Sequence, residues 1–170
     1  MTLVLELAGP TDTECLGRAV GERLRPGDVV VLSGPLGAGK TVLARGIGAG
    51  LGVRGPVTSP TFVIAREHPA APGGRGVPLV HVDAYRLGGI SELDDLDLDT
   101  DLLAAAVVVE WGEGMAERLA DEHLLIRLQP RADESRVAEL CGPARLLPHG
   151  VMSHGVTSRV CPAVPETPDP

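Results

Sequence analysis

Apolar and polar positions along this chain follow two different periods, and the switches between them outline alternating helices and strands. Between Thr11 and Arg25, residues Leu16, Ala19, Val20 and Leu24 recur at helical spacing and predict a first helix. Thr11-Asp12-Thr13-Glu14 reads as its capping box, and Pro26-Gly27 breaks it. Val29 to Leu32 is a short continuous apolar run, the mark of a strand covered on both faces. Thr41 to Leu51 returns to a helical pattern and stops at Gly52. Phe62 to Ala65 and Leu79 to Val82 read as further strands, the second ending in Asp83. Leu102 to Val109 is the most apolar run, ending in Glu110-Trp111-Gly112, with a short helix expected around Glu113 to Ala120. His123 to Leu128 and Arg136 to Leu140 predict two strands joined by a polar turn, a hairpin at one sheet edge. The pattern implies an α/β fold: a mostly parallel central sheet flanked by helices, with an antiparallel edge hairpin.

Other segments lack a clear period. PAAPGGRGVP at 69–78 reads as a surface loop, and SELDDLDLDTD at 91–101 carries six acids on a solvated stretch. It lacks the spaced Gly and terminal Glu of a calcium loop. From residue 143 the chain has six Pro in 28 residues and little periodicity. The expectation is one domain over 1–142 and a disordered tail over 143–170.

Composition narrows the partners. The net charge is -8, so the overall field does not attract a phosphate backbone, and any nucleic acid would be held by another protein. One Phe, one Tyr and one Trp leave the core to Leu, Val, Ile and Ala. Three widely spaced cysteines form no C-x-x-C and no metal spacing, as expected of free thiols in a reducing compartment. MTLVLELAGP lacks the pattern of a signal peptide, and no apolar run reaches membrane-spanning length. A cytoplasmic location without membrane attachment is expected.

The chemistry centres on GPLGAGKT at 34–41, which matches G-x-x-x-x-G-K-[ST] in full. A chance match in a chain of this length is on the order of 0.5% on ordinary residue frequencies. The motif sits between a predicted strand and a predicted helix, as a phosphate-binding loop (P-loop) requires. Its glycines let the backbone curl, so the N–H groups of Gly37, Ala38, Gly39, Lys40, Thr41 and Val42 can face a phosphate group. Lys40 is the only Lys; the other 14 basic residues are Arg. A slim ammonium fits inside a closed loop of amides where a planar guanidinium does not. It would bridge the β- and γ-phosphates, and the Thr41 hydroxyl would reach Mg²⁺. Two acids, Asp83 and Glu110, end strands and are candidates for metal binding and for orienting an attacking group. Spacing alone does not divide these roles between them. Phe62, Tyr85 and Trp111 each lie within two residues of a candidate site element, and His81 shares the strand face of Asp83, as a structural hydrogen bonder ahead of a base.

GPLGAGKT at 34–41, SPTF at 59–62, HVDAYRL at 81–87 and EWGE at 110–113, in that order, resemble the bacterial TsaE (YjeE) ATPases of tRNA threonylcarbamoyladenosine biosynthesis. Thr-x-x-Leu-Gly at 13–17 and Ser-Arg-Val at 135–137 also fit, so the resemblance covers about 1–142. It implies a P-loop NTPase fold that binds ATP and Mg²⁺, with Thr41 and Glu110 as metal ligands. Asp83 would position or activate the attacking water, and Lys40 would act on the transferring phosphate. Ser59-Pro60-Thr61 would sense the γ-phosphate, Thr11 and Thr13 would approach the adenine, and Arg136 would close over the nucleotide. Trp111 would pack beside the metal-binding Glu. The resemblance implies TsaD and TsaB as partners, reset between turnovers by slow, partner-stimulated hydrolysis, with tRNA met only through that complex. Ala84 stands where the family usually has Leu.

Two alternatives remain at this point: a small-molecule P-loop kinase, or a nucleotide-dependent adaptor without significant hydrolysis. Arg86, three residues beyond Asp83, reads first as a member of a structural ion pair and second as a phosphate contact. A GTPase is excluded because N-K-x-D needs a second Lys.

Overall fold

The computed structural model describes residues 1–60, 64–86, 103–114 and 119–148. Its strands are β1 (Thr2–Leu7), β2 (Val29–Ser33), β3 (Ala65–His68), β4 (Leu79–Asp83), β5 (Ala106–Glu110), β6 (His123–Pro130) and β7 (Arg136–Cys141). The helices are α1 (Pro10–Gly21) and α2 (Lys40–Leu51). The strands form one seven-stranded sheet in the order β1-β7-β6-β2-β5-β4-β3. The inner strands β6, β2, β5 and β4 are mutually parallel; β3 and β7 run against their inner neighbours. The mixed α/β architecture is the one the sequence pattern implies.

Strand alternation divides the core. Val30, Leu32, Leu79, Val108, Leu124 and Ile126 point to the face that carries Leu16, Val20 and Leu24 together with Leu43, Ile47 and Leu51 of α2. Val29, Val31, Val80, Val82, Val107 and Val109 point the other way and pack with Leu119 and Ala120. β2 and β5 are therefore apolar at every position before their last, which is why they read as continuous runs rather than alternations.

Both helices lie on the first face, and glycine sets their separation. A Cβ on Gly46 would meet the carbonyl oxygen of Glu14 far inside van der Waals contact, and one on Gly50 would meet that of Arg18. Gly17 and Gly21 face the carbonyls of Leu43 and Ile47 in the same way. The seam is thus built from two glycines four residues apart on each helix, a stripe the periodicity of larger side chains does not reveal.

Several details differ from the sequence expectations. α1 starts at Pro10 after an extended Gly9 N-cap, and no side chain caps it. The Asp12 carboxylate accepts the N–H of Ala8, and the capping box expected at Thr11 does not form. The helix ends at Gly21, short of Arg25, and Arg75 donates to the carbonyls of Gly21 and Leu24. The 69–78 loop is thereby tied to the C-terminal end of α1. β1 was not predicted. Its inward Leu3, Leu5 and Leu7 are interleaved with the exposed Val4, which blurs the alternation. It pairs with β7, so the β6–β7 hairpin forms as expected but β1 is the outermost strand on that side. The strand expected at 62–65 is found at Ala65–His68, with 61–63 outside the described residues. The acidic stretch 91–101 and residues 115–118 of the expected 113–120 helix also lie outside them.

The expected domain end after 142 falls too early. Residues Ala144–Leu146 form a 3₁₀ turn, with Leu146 and Leu147 buried in the helix-side core. Arg145 pairs with the buried Asp28 at 2.7 Å. Two adjacent leucines are too short a signal to register as periodicity, yet their burial adds packed chain to the domain.

Gly46→Ala should expose the seam directly. Helix propensity gains about 1 kcal/mol, but backbone overpacking costs about 1–3 kcal/mol. Stability should fall by about 1 kcal/mol net, read as a lower urea midpoint; an unchanged or higher midpoint would show that the helices can part freely.

Candidate functional site

β2 delivers the chain to the centre of the sheet, and residues 34–39 turn it into α2. Two glycines make the turn possible. Gly34 has φ +144°, and a Cβ there would stand 2.5 Å from the carbonyl oxygen of Leu128. Gly39 has φ +104°, and a Cβ there would stand 2.9 Å from Nη1 of Arg136. Ala38 donates its N–H to the carbonyl of Pro35 and is buried, while Leu36 is exposed at the tip. Lys40, Thr41 and Val42 form the first turn of α2, whose N–H groups have no intrahelical acceptor and carry the positive end of the helix dipole. This is a ready anion site.

Lys40 is folded into the loop. Its Nζ donates to the carbonyls of Gly34 at 2.7 Å and Pro35 at 2.9 Å. The same ammonium lies 3.7 Å from the ring centroid of Trp111, an attractive cation–π geometry. Burial pushes its pKa below the ordinary lysine value, while the charges of Glu110 and Asp83 act in the opposite direction.

The carboxylates arrive by strand register. Glu110 ends β5 opposite Leu32, the residue before the last of β2, and Asp83 ends β4 opposite Glu110. Both are buried, at 3% and 4% exposure. The Thr41 hydroxyl lies 3.3 Å and 3.4 Å from the two oxygens of Glu110. His81 Nε2 stands 2.8 Å from Glu110 Oε1. Asp83 Oδ1 accepts the N–H of Tyr85 at 3.0 Å, and the Tyr85 ring packs 5.1 Å from that of Trp111. Trp111 occupies the left-handed region at φ +62°, unusual for a bulky residue, with its N–H bonded to the Leu32 carbonyl. That turn swings the indole back over Lys40.

The predicted residues thus largely converge. The loop 34–39, Lys40, Thr41, Asp83 and Glu110 surround one point at the carboxyl ends of three parallel strands. Arg136 lies beside Gly39 and donates to the Thr13 hydroxyl at 3.3 Å. Thr13 is fully buried and also donates to the Gly9 carbonyl, so its hydroxyl is engaged within the fold, whereas Thr11 is exposed on the first turn of α1. Thr61 and the side chain of Arg86 lie outside the described residues.

One participant was missed as a site element. Glu113 accepts from Ser33 Oγ through one oxygen and from the Arg127 guanidinium, at 2.9 Å and 2.6 Å, through the other. These two partners hold its carboxyl below the usual glutamate range. The bridge ties the turn after Glu110 to the last residue of β2 and to β6. No sequence spacing announces it, because Ser33 and Arg127 become neighbours only through the β2–β6 register.

The donor set suits a small divalent cation: a hydroxyl and a carboxylate face each other, both hard oxygen ligands of the kind Mg²⁺ takes together with waters. Among the described residues no group of three or more His, Cys, Asp or Glu forms an all-protein metal cage. No described helix is long and apolar enough to cross a membrane.

Comparison with known proteins places this arrangement. The family model described as threonylcarbamoyl adenosine biosynthesis protein TsaE matches residues 7–138. The chain belongs to the TsaE family. The tRNA threonylcarbamoyladenosine biosynthesis protein TsaE of Streptomyces coelicolor is 58% identical over 132 residues, covering 75% of this chain and 88% of that protein. TsaE of Mycobacterium tuberculosis is 62% identical over 125 residues, covering 69% and 73%. The crystal structure of Bacillus subtilis YdiB superposes with a TM-score of 0.66 at 30% identity, covering 82% of this chain and 84% of that one. The TsaE segment runs from the last residue of β1 into β7, so it contains the whole loop and both carboxylates.

Trp111 is the only tryptophan, so the emission comes from one indole, which packs against Lys40 and Tyr85. Lys40→Met should change its emission, whereas Arg131→Met, which breaks only an exposed pair with Glu6, should not. Identical emission from Lys40→Met and the parent would contradict the stacked geometry.

Proposed function

We propose that this TsaE-family chain is a Mg²⁺-dependent ATP hydrolase that supports N6-threonylcarbamoyladenosine formation on tRNA. It would bind the TsaB–TsaD pair in the cytoplasm and reset it between turnovers. The observation that carries the reading is the convergence of a buried lysine, a glycine-turned ring of amides and two buried carboxylates at adjacent strand ends.

In this reading the amides of Gly37 and 39–42, joined by that of Ala38 once it leaves the Pro35 carbonyl, and the ammonium of Lys40 hold the phosphate tail of ATP. Thr41 and Glu110 hold the cation, which when bound neutralises charge on the phosphate oxygens. One oxygen of Asp83 is fixed by the Tyr85 N–H, so the other could orient a water against the γ-phosphate. Arg136, placed beside Gly39, would face the nucleotide. The buried setting strengthens each of these charges relative to water.

The charge count supports partner dependence. Lys40 is already bonded to two loop carbonyls, so one ammonium shared in this way leaves the transition-state charge short of donors. Positive charge supplied in trans is worth roughly 10³–10⁵ in rate in other P-loop proteins. ATP turnover should therefore be slow alone and rise by about tenfold or more with purified TsaB–TsaD from the same source. A rate indifferent to the pair, but raised by a small hydroxyl compound, would favour a kinase.

Asp83→Asn should keep ATP affinity and lower turnover by about 100-fold or more, the usual scale for a lost acid–base group. Normal turnover in that variant would remove Asp83 from the role.

A further inference from the structure

Glu110 is a buried carboxylate on a flexible stem, and its tightest hydrogen-bond partner is a residue from the neighbouring strand. His81 is fully buried, and its Nε2 stands 2.8 Å from Glu110 Oε1. The β4–β5 register brings this about: His81 lies opposite Val108, two residues before Glu110, and on the same strand face as Asp83. The Thr41 hydroxyl, by contrast, sits 3.3 Å and 3.4 Å from the two oxygens, longer than a charge-assisted O–H···O bond. It lies across the mouth of the carboxylate rather than tightly on either oxygen.

The second ring nitrogen fixes the sense of the His81 bond. His81 Nδ1 is buried and has no hydrogen-bond partner among the described residues. An N–H left unbonded there would carry the full desolvation penalty of a donor. The Nε2–H tautomer places the single ring proton on the bond to Glu110 and leaves Nδ1 bare. His81 then donates to Oε1 and holds the carboxylate plane, so that Oε2 and the Thr41 hydroxyl stay side by side.

We propose that His81 is a positioning residue that presets Glu110 for Mg²⁺; this rests on the magnesium-nucleotide reading above. Its effect passes through Glu110 rather than through contact with substrate. A side chain that holds a ligand in this way typically accounts for about 10–100-fold in metal affinity.

Three full-length proteins separate this from simple core filling: the parent, His81→Leu and His81→Gln. Leu keeps apolar volume without a donor; the Gln amide places an N–H near the former Nε2. ATP binding is measured by calorimetry across a Mg²⁺ series and in excess chelator. His81→Leu should need about tenfold more Mg²⁺ to reach half of its magnesium-enhanced affinity. His81→Gln should stay within about threefold of the parent, and ATP affinity in chelator should match across all three. A parental magnesium midpoint in His81→Leu would overturn the proposal. So would an equal loss of ATP affinity with and without metal, or failure of Gln to rescue while its urea midpoint stays parental. If His81→Leu does not fold, His81→Asn, whose amide stops at the Nδ1 position, replaces it with the same outcomes. Magnesium-independent ATP binding by the parent would instead sink the metal-nucleotide reading itself.

Discussion

A lysine ammonium removed from water at the centre of the sheet is the constraint on which the rest depends. Lys40 is 5% exposed, and such a charge persists only where hydrogen-bond acceptors and counter-charges replace its hydration. Two loop carbonyls, the face of Trp111 and the field of two carboxylates meet that need. Each compensating group imposes its own demand. The carbonyls require the tight turn of Gly34 and Pro35. The indole requires the left-handed backbone at Trp111, strain that the Leu32 carbonyl and the Glu113 bridge help hold. The carboxylates require β4 and β5 to end level with one another beside β2.

Those demands are met by packing at a distance. α2 carries Lys40 and Thr41 on its first turn, so its position fixes theirs. The glycine seam lets α1 and α2 approach until backbone touches backbone, which leaves little freedom for α2 to slide. The apolar strands beneath are buried on both faces, and their register sets the spacing of Asp83, Glu110 and His81. Residues beyond the expected boundary contribute as well: Leu146 and Leu147 extend the core, and Arg145 neutralises the buried Asp28.

What could be read in the sequence was what is local. GPLGAGKT carries its loop geometry in eight consecutive residues, and an acid closing an apolar run marks a strand end without knowledge of its neighbours. Long-range pairings were illegible. The bond between His81 and Glu110 spans 29 positions and the one between Ser33 and Glu113 spans 80; neither leaves a spacing to detect. The stripe formed by Gly17 and Gly21 against Gly46 and Gly50 was present in the letters. Glycine offers no apolar signal, so a search for helical faces passes over it. β1 escaped because its outward Val4 breaks the expected alternation. The capping residues of α1 were misplaced because an Asp three residues along can bond backwards without a Ser or Thr at the cap.

Membership of the TsaE family sets the chain in threonylcarbamoyladenosine biosynthesis, and the structure brings a buried lysine, the start of α2 and two buried carboxylates together at the carboxyl ends of its parallel strands. Isothermal calorimetry of ATP in saturating Mg²⁺ with the parent and with Lys40→Ala tests this most directly. The account expects measurable heat and a defined stoichiometry in the parent, and none in Lys40→Ala with the fold intact by circular dichroism. Equal binding by both proteins, or no binding by the parent at millimolar ATP, would contradict it.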